Sequence, residues 1–174
     1  MLIIEASLPV AVSLPGQAST GSVVPGNLQL LRALNLLALG SHEHTDRSAP
    51  ERANDMARIE AKLDMLLSLV GSLVTNNYPL PPAYPVQFSV ELITVQFDQR
   101  FGLGDDVVVE LYLSAEIPRP LILAARVSRA ASASDRSSIA FETAPMDVAV
   151  RDEFERYIFL HHRRELAARA PMPS

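Results

Sequence analysis

A seam of apolar residues at heptad spacing, in the stretch from Ser48 to Asn76, constrains this chain more than any other feature. Its members follow one another at spacings of three, four, three, four and three residues, and so occupy the a and d positions of a coiled coil: Met56, Ile59, Leu63, Leu66, Val70 and Leu73. Leu67 and Val74 at e and Leu69 at g are also apolar, where a two-stranded coil usually carries charges. We therefore predict a bundle of more than two helices. The alternative is a surface helix that packs on its own domain.

Both ends of this helix are marked in the sequence. Ser48 and Glu51 form a capping box at its start, and Asn76 and Asn77 followed by Pro79 end it. At about 1.5 Å per residue, about 26 helical residues within 49–76 span roughly 39 Å. That length exceeds the width of a small domain, so we predict that the helix projects and assembles with copies of itself, as a homotetramer.

The region before this helix is apolar but divided. Residues 1–26 are interrupted by six prolines and glycines: Pro9, Pro15, Gly16, Gly21, Pro25 and Gly26. We predict an extended arm there; the alternative is an arm that pairs with a sheet edge, in its own subunit or in a neighbour. Asn27 as a cap and Gly40 as a stop predict a first helix over about 28–39. Because this helix is apolar on nearly every face, we expect it to be buried beside the long helix, within a helical oligomerisation region at 27–77.

The periodicity changes after a proline-rich linker at 78–85. From there apolar residues alternate, and strands are predicted at 86–92, 93–97, 107–113, 121–127 and 139–141. The shift of phase after Leu92 indicates a bulge or sharp bend, as in small closed barrels. A final helix is predicted from Asp147 to Arg169, with an apolar stripe that can cover the barrel: Val150, Phe154, Tyr157, Ile158 and His161.

Composition excludes several classes of protein. The chain has no Cys, so disulfides and thiolate metal sites are excluded. The net charge of -5, without a long basic run, argues against nucleic-acid binding. No apolar run is long enough to span a bilayer, and the amino-terminal residues lack the positive charge of a signal peptide. We expect a soluble, cytoplasmic protein.

The sequence offers few candidates for chemistry. His42 and His44 lie in a polar link without further metal ligands, and His161 and His162 lack a partner nucleophile or an orienting carboxylate. Asp105 and Asp106 are interpreted as part of a solvated turn rather than a metal or phosphate loop. We therefore predict neither an enzyme nor a bound cofactor or metal.

Residues 82–170 resemble a PilZ domain, which is a small β-barrel with a Gly-Asp turn and a terminal helix. The resemblance rests on four segments: Phe101–Asp106 leading into Val107–Leu113; Arg119–Leu121 leading to Ala125–Val127; Ile139–Glu142; and Arg151–Asp152 through Arg156–Phe159 to Arg163–Glu165. The fold that it implies is α+β: an antiparallel PilZ-like barrel with a C-terminal helix at 86–170, preceded by two helices in an oligomeric coiled-coil bundle.

PilZ domains are cyclic di-GMP receptors, and the resemblance implies where the ligand would bind. The family uses an RxxxR segment before the first strand and a (D/N)xSxxG segment in the barrel. Here no Arg or Lys occurs between Leu63 and Gln99. The second motif falls on Ser89–Thr94, where Glu91 replaces the Ser and Thr94 replaces the Gly. A carboxylate repels a phosphate, and Thr crowds a position that requires no side chain.

The resemblance and its departures together predict an oligomeric regulatory protein that has lost cyclic di-GMP binding. Its partners would be other copies of the chain and a further protein, in bacterial motility, pilus or virulence signalling. The alternative is a cyclic di-GMP receptor whose site is rebuilt from Arg100, Arg126 or Arg129, or from residues of a neighbouring subunit.

Overall fold

The computed structural model describes residues 2–16, 23–40, 59, 63, 66, 80–96, 99–114, 117, 119–129 and 138–169. In chain order its elements are β1 Ile4–Ser13, α1 Val23–Gly40, β2 Ala83–Phe88, β3 Leu92–Gln96, β4 Asp106–Leu111, β5 Leu121–Arg129, β6 Ser138–Thr143 and α2 Val148–Arg169. The strands form a closed barrel in the order β1-β2-β3-β6-β5-β4, and every neighbouring pair is antiparallel. The predicted barrel with a C-terminal helix is therefore confirmed.

β1 corrects the prediction of an extended arm over residues 1–26. Ile4 to Pro9 pair with β2, and Val10 to Ser13 pair with β4, so this strand closes the barrel. The alternative, pairing with a sheet edge of its own subunit, is what the structure has. Pro9 lies at the point where β1 passes from one neighbour to the other, and its carbonyl accepts from the Tyr112 amide at 3.1 Å. A proline lacks an N–H, and it is tolerated where the ladder changes partner.

The barrel core is apolar, and α2 covers one part of it. Ile93, Leu111, Leu121 and Phe141 are fully buried inside the barrel. From α2, Phe154 stacks on Phe88 with ring centroids 6.0 Å apart and an interplanar angle of 9°. The predicted stripe of α2 is buried at Val150, Phe154, Tyr157 and Ile158, whereas His161 is half-buried. These contacts fix α2 beside the start of the β2–β3 connection, which is important for the groove described below.

α1 begins earlier than predicted and packs differently. It starts at Val23, with Pro25 and Gly26 in its first turn, where a missing amide costs little. Its buried face lies against α2 and β5 of its own chain, through Leu30, Leu31, Leu34 and Ala38. Leu36, in contrast, is 69% exposed. One face of the helix is thus covered by its own domain.

Asn27 is a docking residue of α1, not the predicted helix cap. Its side-chain amide donates to the Ile122 carbonyl at 2.6 Å, and its Oδ1 accepts from the Ile122 amide at 3.0 Å. Ile122 pairs with Glu110 of β4, while the ladder from β5 to β6 begins only at Ala125. The Asn27 amide therefore takes the place of a neighbouring strand at an open edge of β5.

Replacement of Asn27 by Ala is expected to lower the free energy of unfolding by about 2–4 kcal/mol, because both peptide groups of Ile122 lose their partner. Chemical denaturation followed by circular dichroism measures this change. The matched control is Gln29→Ala, since Gln29 is exposed on the same helix. If both variants lost equally little stability, the docking role of Asn27 would be wrong.

Of the predicted long helix at 49–76, three residues are described. Ile59, Leu63 and Leu66 are helical, and they are 53%, 53% and 56% exposed. The other seam positions and the polar link lie outside the described residues: Met56, Leu67, Val70, Leu73, Val74, His42 and His44. The second N-terminal helix and its coiled-coil assembly thus stay predictions.

Candidate functional site

The short connection between β2 and β3 is held in one conformation by two hydroxyl groups. Ser89 is only 2% exposed, and its Oγ accepts from the amides of Glu91 and Leu92 at 3.3 and 3.1 Å. From β6, the Thr143 Oγ1 donates to the Val90 carbonyl at 2.7 Å, and the Thr143 amide donates to the Glu91 carbonyl at 3.0 Å. The amide and the carbonyl of Glu91 are thus both used to shape the turn, while its side chain is exposed.

The Glu91 carboxylate forms an ion pair with α2. Its Oε1 lies 3.0 Å from Nη2 of Arg151, and Nε of the same guanidinium lies 3.0 Å from Oε1 of Glu155. The hydrogen bonds to Glu91 and then to Glu155 raise the pKa of Arg151 above its usual value. One arginine thus connects the β2–β3 turn to the helix and is shared between two carboxylates.

A groove of about 640 Å³ lies between this turn, the amino-terminal end of β1 and the outer face of α2. We call it the turn–helix groove; its lining residues are Leu2, Ser89, Val90, Glu91, Arg151, Asp152, Glu155, Arg156, Ile158 and Phe159. Its volume is within the range of about 300–1,000 Å³ that is usual for ligand pockets. It is larger than two other depressions among the described residues, of about 370 Å³ beside Thr94 and about 230 Å³ beside Arg32.

The structure separates the three motif positions that the sequence singled out. Ser89 and Glu91 line the turn–helix groove, whereas Thr94 lines a different depression, of about 370 Å³, on the outer face of the barrel. There Thr94 is paired across the sheet with Gln87 on β2 and with Ala140 on β6. Ser89 has a structural role in the turn, and so Glu91, in its ion pair with Arg151, is the one charged group that these three positions bring to the groove.

The arginines considered for a rebuilt site lie elsewhere. Arg126 is opposite Asp106 on β4 and Glu142 on β6. Its Nε is 2.9 Å from Oδ1 of Asp106, and the hydrogen bond raises the pKa of Arg126 and lowers that of Asp106. Arg100 and Arg129 are exposed. A guanidinium with carboxylates on both sides is poorly placed to take an anionic ligand.

The Gly-Asp turn is a structural turn, as the sequence interpretation expects. The Asp105 Oδ2 accepts from the Gly102 amide at 2.7 Å, and Gly104 adopts a φ of 87°. That conformation suits glycine because it lacks a Cβ. Within the residues that the structure describes, no group of three or more His, Asp or Glu side chains is arranged to hold a metal ion.

The sequence identified the α2 side of the groove only as a carrier of the family resemblance, not as part of a site. Arg151, Glu155 and Phe159 are brought to the β2–β3 turn only by the packing of α2 on the barrel. A partial signal exists in the sequence. Val148, Phe159 and Leu166 are spaced by eleven and seven residues, which places these three apolar residues on one helical face. In the structure they are 73%, 50% and 54% exposed.

Comparisons with known proteins agree with this fold. One solved structure, of a pathogenic protein from Xanthomonas campestris described as a tetrameric PilZ domain self-assembled via a helical bundle, is 29% identical to this chain. The match covers 95% of this chain and 91% of that one, with a TM-score of 0.75. The inhibitor of motility from Bacillus subtilis is 18% identical over 50% of this chain and 43% of that one, and its TM-score of 0.39 is too low to support an inference. No curated protein matches the chain.

Two further observations concern the chain as a whole. Among the helices of the described residues, none combines the length and the apolar character that crossing a membrane requires. Residues 31–170 match the family described as the atypical PilZ domain, a cyclic di-GMP receptor. That match includes most of α1, five of the six strands described here and all of α2. The chain therefore belongs to the family of atypical PilZ domains.

Proposed function

We propose that this chain is a non-enzymatic, self-assembling regulatory protein that has lost cyclic di-GMP binding and acts by contact with another protein. The observation that carries the proposal is the Glu91–Arg151 ion pair at 3.0 Å, which stands where the family's ligand motif has a serine. The process in which it acts, bacterial motility, pilus function or virulence, is suggested by the family and by the pathogenic protein that it resembles.

Electrostatics support the loss of ligand binding. Cyclic di-GMP carries two anionic phosphates, and Glu91 would repel them from the β2–β3 turn. Arg151, the cation beside this position, already donates to Glu91 and Glu155. The stretch from Leu63 to Gln99, which leads into β2 and contains β2 and β3, has no Arg or Lys that could replace the missing RxxxR segment. A planar arginine is the side chain best suited to hold both phosphate and guanine.

The exposed residues of the heptad seam support self-assembly. Ile59, Leu63 and Leu66 lie one turn apart on a helix, and each is more than half exposed in the single chain. Large apolar side chains in a contiguous row usually mark a contact surface. The Xanthomonas campestris protein, whose structural match covers 95% of this chain, is described as a tetramer self-assembled via a helical bundle. We propose the same kind of assembly for this chain.

Titration with cyclic di-GMP tests the loss of binding. We expect no saturable heat in isothermal calorimetry at ligand concentrations up to about 100 µM, which corresponds to less than about 5.5 kcal/mol of binding free energy. The double variant Glu91→Ser with Thr94→Gly is expected to bind more tightly than the unaltered chain, because it removes the repelling charge and releases Arg151.

Glu165→Ser is the matched control for this titration. This variant also removes one negative charge, but from α2 and at a residue that does not line the groove. We expect it, like the unaltered chain, not to bind cyclic di-GMP. A micromolar dissociation constant for the unaltered chain would contradict the proposal and would favour the receptor with a site rebuilt from Arg100, Arg126 or Arg129. The pairing of Arg126 with Asp106 argues against that alternative.

A further inference from the structure

The turn–helix groove has an apolar floor that is open to solvent. Val90 and Ile158 are buried at its base, while Leu2 and Phe159 are 41% and 50% exposed along its sides. Phe159 extends from α2, whose packing through Phe154 and Ile158 holds it in place. An aromatic ring on a rigid helix beside a preformed cavity is the usual anchor of a protein–protein contact. The floor therefore suits a bulky apolar side chain.

Acidic groups outnumber basic groups around this floor. Three carboxylates line the groove, at Glu91, Asp152 and Glu155, against the two guanidinium groups of Arg151 and Arg156. Arg151 is shared between two of the carboxylates, and their side chains are still 63% and 52% exposed. Both carboxylates therefore remain partly open to solvent beside the floor. The rim is therefore complementary to a cation beside the apolar group.

Two other occupants are disfavoured by charge. A second copy of this chain carries a net charge of -5, so its average surface is repelled by an acidic rim. A cyclic dinucleotide is anionic and meets Glu91 directly. A segment that presents Lys or Arg next to a large apolar side chain satisfies both the floor and the rim.

We propose that the turn–helix groove docks a short segment of a partner protein that has a bulky apolar residue flanked by Lys or Arg. This inference rests on the proposed function, for it names the surface and the chemistry through which the adaptor would contact its partner. Phe159 and Leu2 supply the apolar contact, and Glu91 with Glu155 supplies the charge.

The test uses fluorescein-labelled synthetic 12-residue peptides and the full chain, with binding followed by fluorescence anisotropy. The peptides have Phe, Leu or Ala at the centre, flanked by Lys or by Glu in otherwise identical Ser- and Gly-rich sequences. We expect Phe- or Leu-centred peptides with Lys to bind at least about tenfold more tightly than their Glu counterparts, which is about 1.4 kcal/mol. Equal binding of the Lys and Glu peptides, or no binding of any peptide, would overturn the inference.

Variants of the full chain locate the binding. Phe159→Ser, and separately Glu91→Gln with Glu155→Gln, are expected to weaken binding of the Lys peptide at least about tenfold. The Gln variants keep hydrogen-bond acceptors for Arg151 and so preserve the turn. Leu103→Ser is the matched control, because Leu103 is 73% exposed on a turn that does not line the groove. Loss of binding in the control, or unchanged binding in Phe159→Ser, would overturn the inference.

Two measurements on the same samples separate this inference from the proposed function. The mass of Phe159→Ser is expected to equal that of the unaltered chain; a lower mass would mean that the groove joins copies of the chain and would overturn the inference while leaving self-assembly intact. Addition of cyclic di-GMP is expected not to displace the peptide. Displacement at micromolar concentrations would contradict the proposed loss of ligand binding, while the peptide binding that it competes with would still support the docking inference.

Discussion

A chain that begins at Pro15, and so lacks β1, is expected not to fold cooperatively. β1 is hydrogen-bonded to β2 along one part of its length and to β4 along the other, and so its removal leaves two open edges in the barrel. Ile4 and Val10 also leave the core, where they are 0% and 4% exposed. Each such side chain contributes about 1.5–3 kcal/mol. Together with the lost ladder, this is comparable with the roughly 5–15 kcal/mol that stabilises a typical domain.

Thermal unfolding followed by circular dichroism measures this effect, and two point variants provide the matched comparison. Val10→Asp places a charge in the core and is expected to be nearly as damaging as the truncation, while Ser7→Asp on the exposed side of the same strand is expected to melt like the unaltered chain. A truncated chain with a sharp transition within a few degrees of the original would mean that β1 is dispensable. On the same grounds, a chain that begins at Asn77 would lack β1 and would not form a closed barrel by itself.

Replacement of Leu63 and Leu66 by Glu is expected to dissociate the proposed assembly into single chains. The two leucines are adjacent a and d positions of the seam, and both are more than half exposed in the single chain. If these positions are buried between helices, the glutamates of the variant would be buried as unpaired charges in every copy. Burial of such a charge costs several kcal/mol per site. A weakening of the association constant by at least about a thousandfold is expected, which is roughly 4 kcal/mol.

Sedimentation velocity separates the assembled from the dissociated state, and circular dichroism checks that the barrel is still folded. The control variant, Leu103→Glu with Val148→Glu, adds the same charge at two apolar residues that are each 73% exposed outside the seam. It is expected to sediment like the unaltered chain. An unchanged sedimentation coefficient for the seam variant would rule out assembly through Leu63 and Leu66.

The barrel after residue 82 and the final helix could be predicted from the sequence because their apolar periods are regular. The strands at 107–113 and 121–127 differ from β4 and β5 by no more than two residues at either end, and the helix predicted from Asp147 begins at Val148. The shift of phase after Leu92 corresponds to the tight connection between β2 and β3. These elements follow from local patterns, in which each side chain's neighbours in sequence determine which face it occupies.

β1 and the start of α1 could not be predicted from the local pattern, because prolines and glycines interrupt the sequence there. The residues of β1 do alternate: Ile4, Ala6, Leu8, Val10 and Val12 face inwards or are partly buried, between Glu5, Ser7 and other side chains of the outer face. Pro9 interrupts this pattern where the strand changes partner. Pro25 and Gly26 similarly hide the first turn of α1, which tolerates both. At Pro9 tertiary pairing overrides the residue's usual tendency, whereas Pro25 stands where a helix accepts a proline.

The candidate site could be predicted only in part. The family resemblance directs attention to Ser89 and Glu91, and the structure places both at the turn–helix groove. Arg151 and Phe159 could not be found in the same way, since they are some sixty residues further along the chain. They reach the turn because Phe154 stacks on Phe88 and fixes the position of α2. The site is therefore a consequence of packing between distant elements, which no local period reports.

The solution mass of the unaltered full chain, measured by light scattering over about a hundredfold range of concentration, tests the central claim most directly. The account predicts about four times the 19.0 kDa monomer mass, independent of concentration above the micromolar range. A mass of 19.0 kDa throughout would contradict it. In that case the helix that carries Leu63 and Leu66 would have to be covered by its own domain or by a different protein.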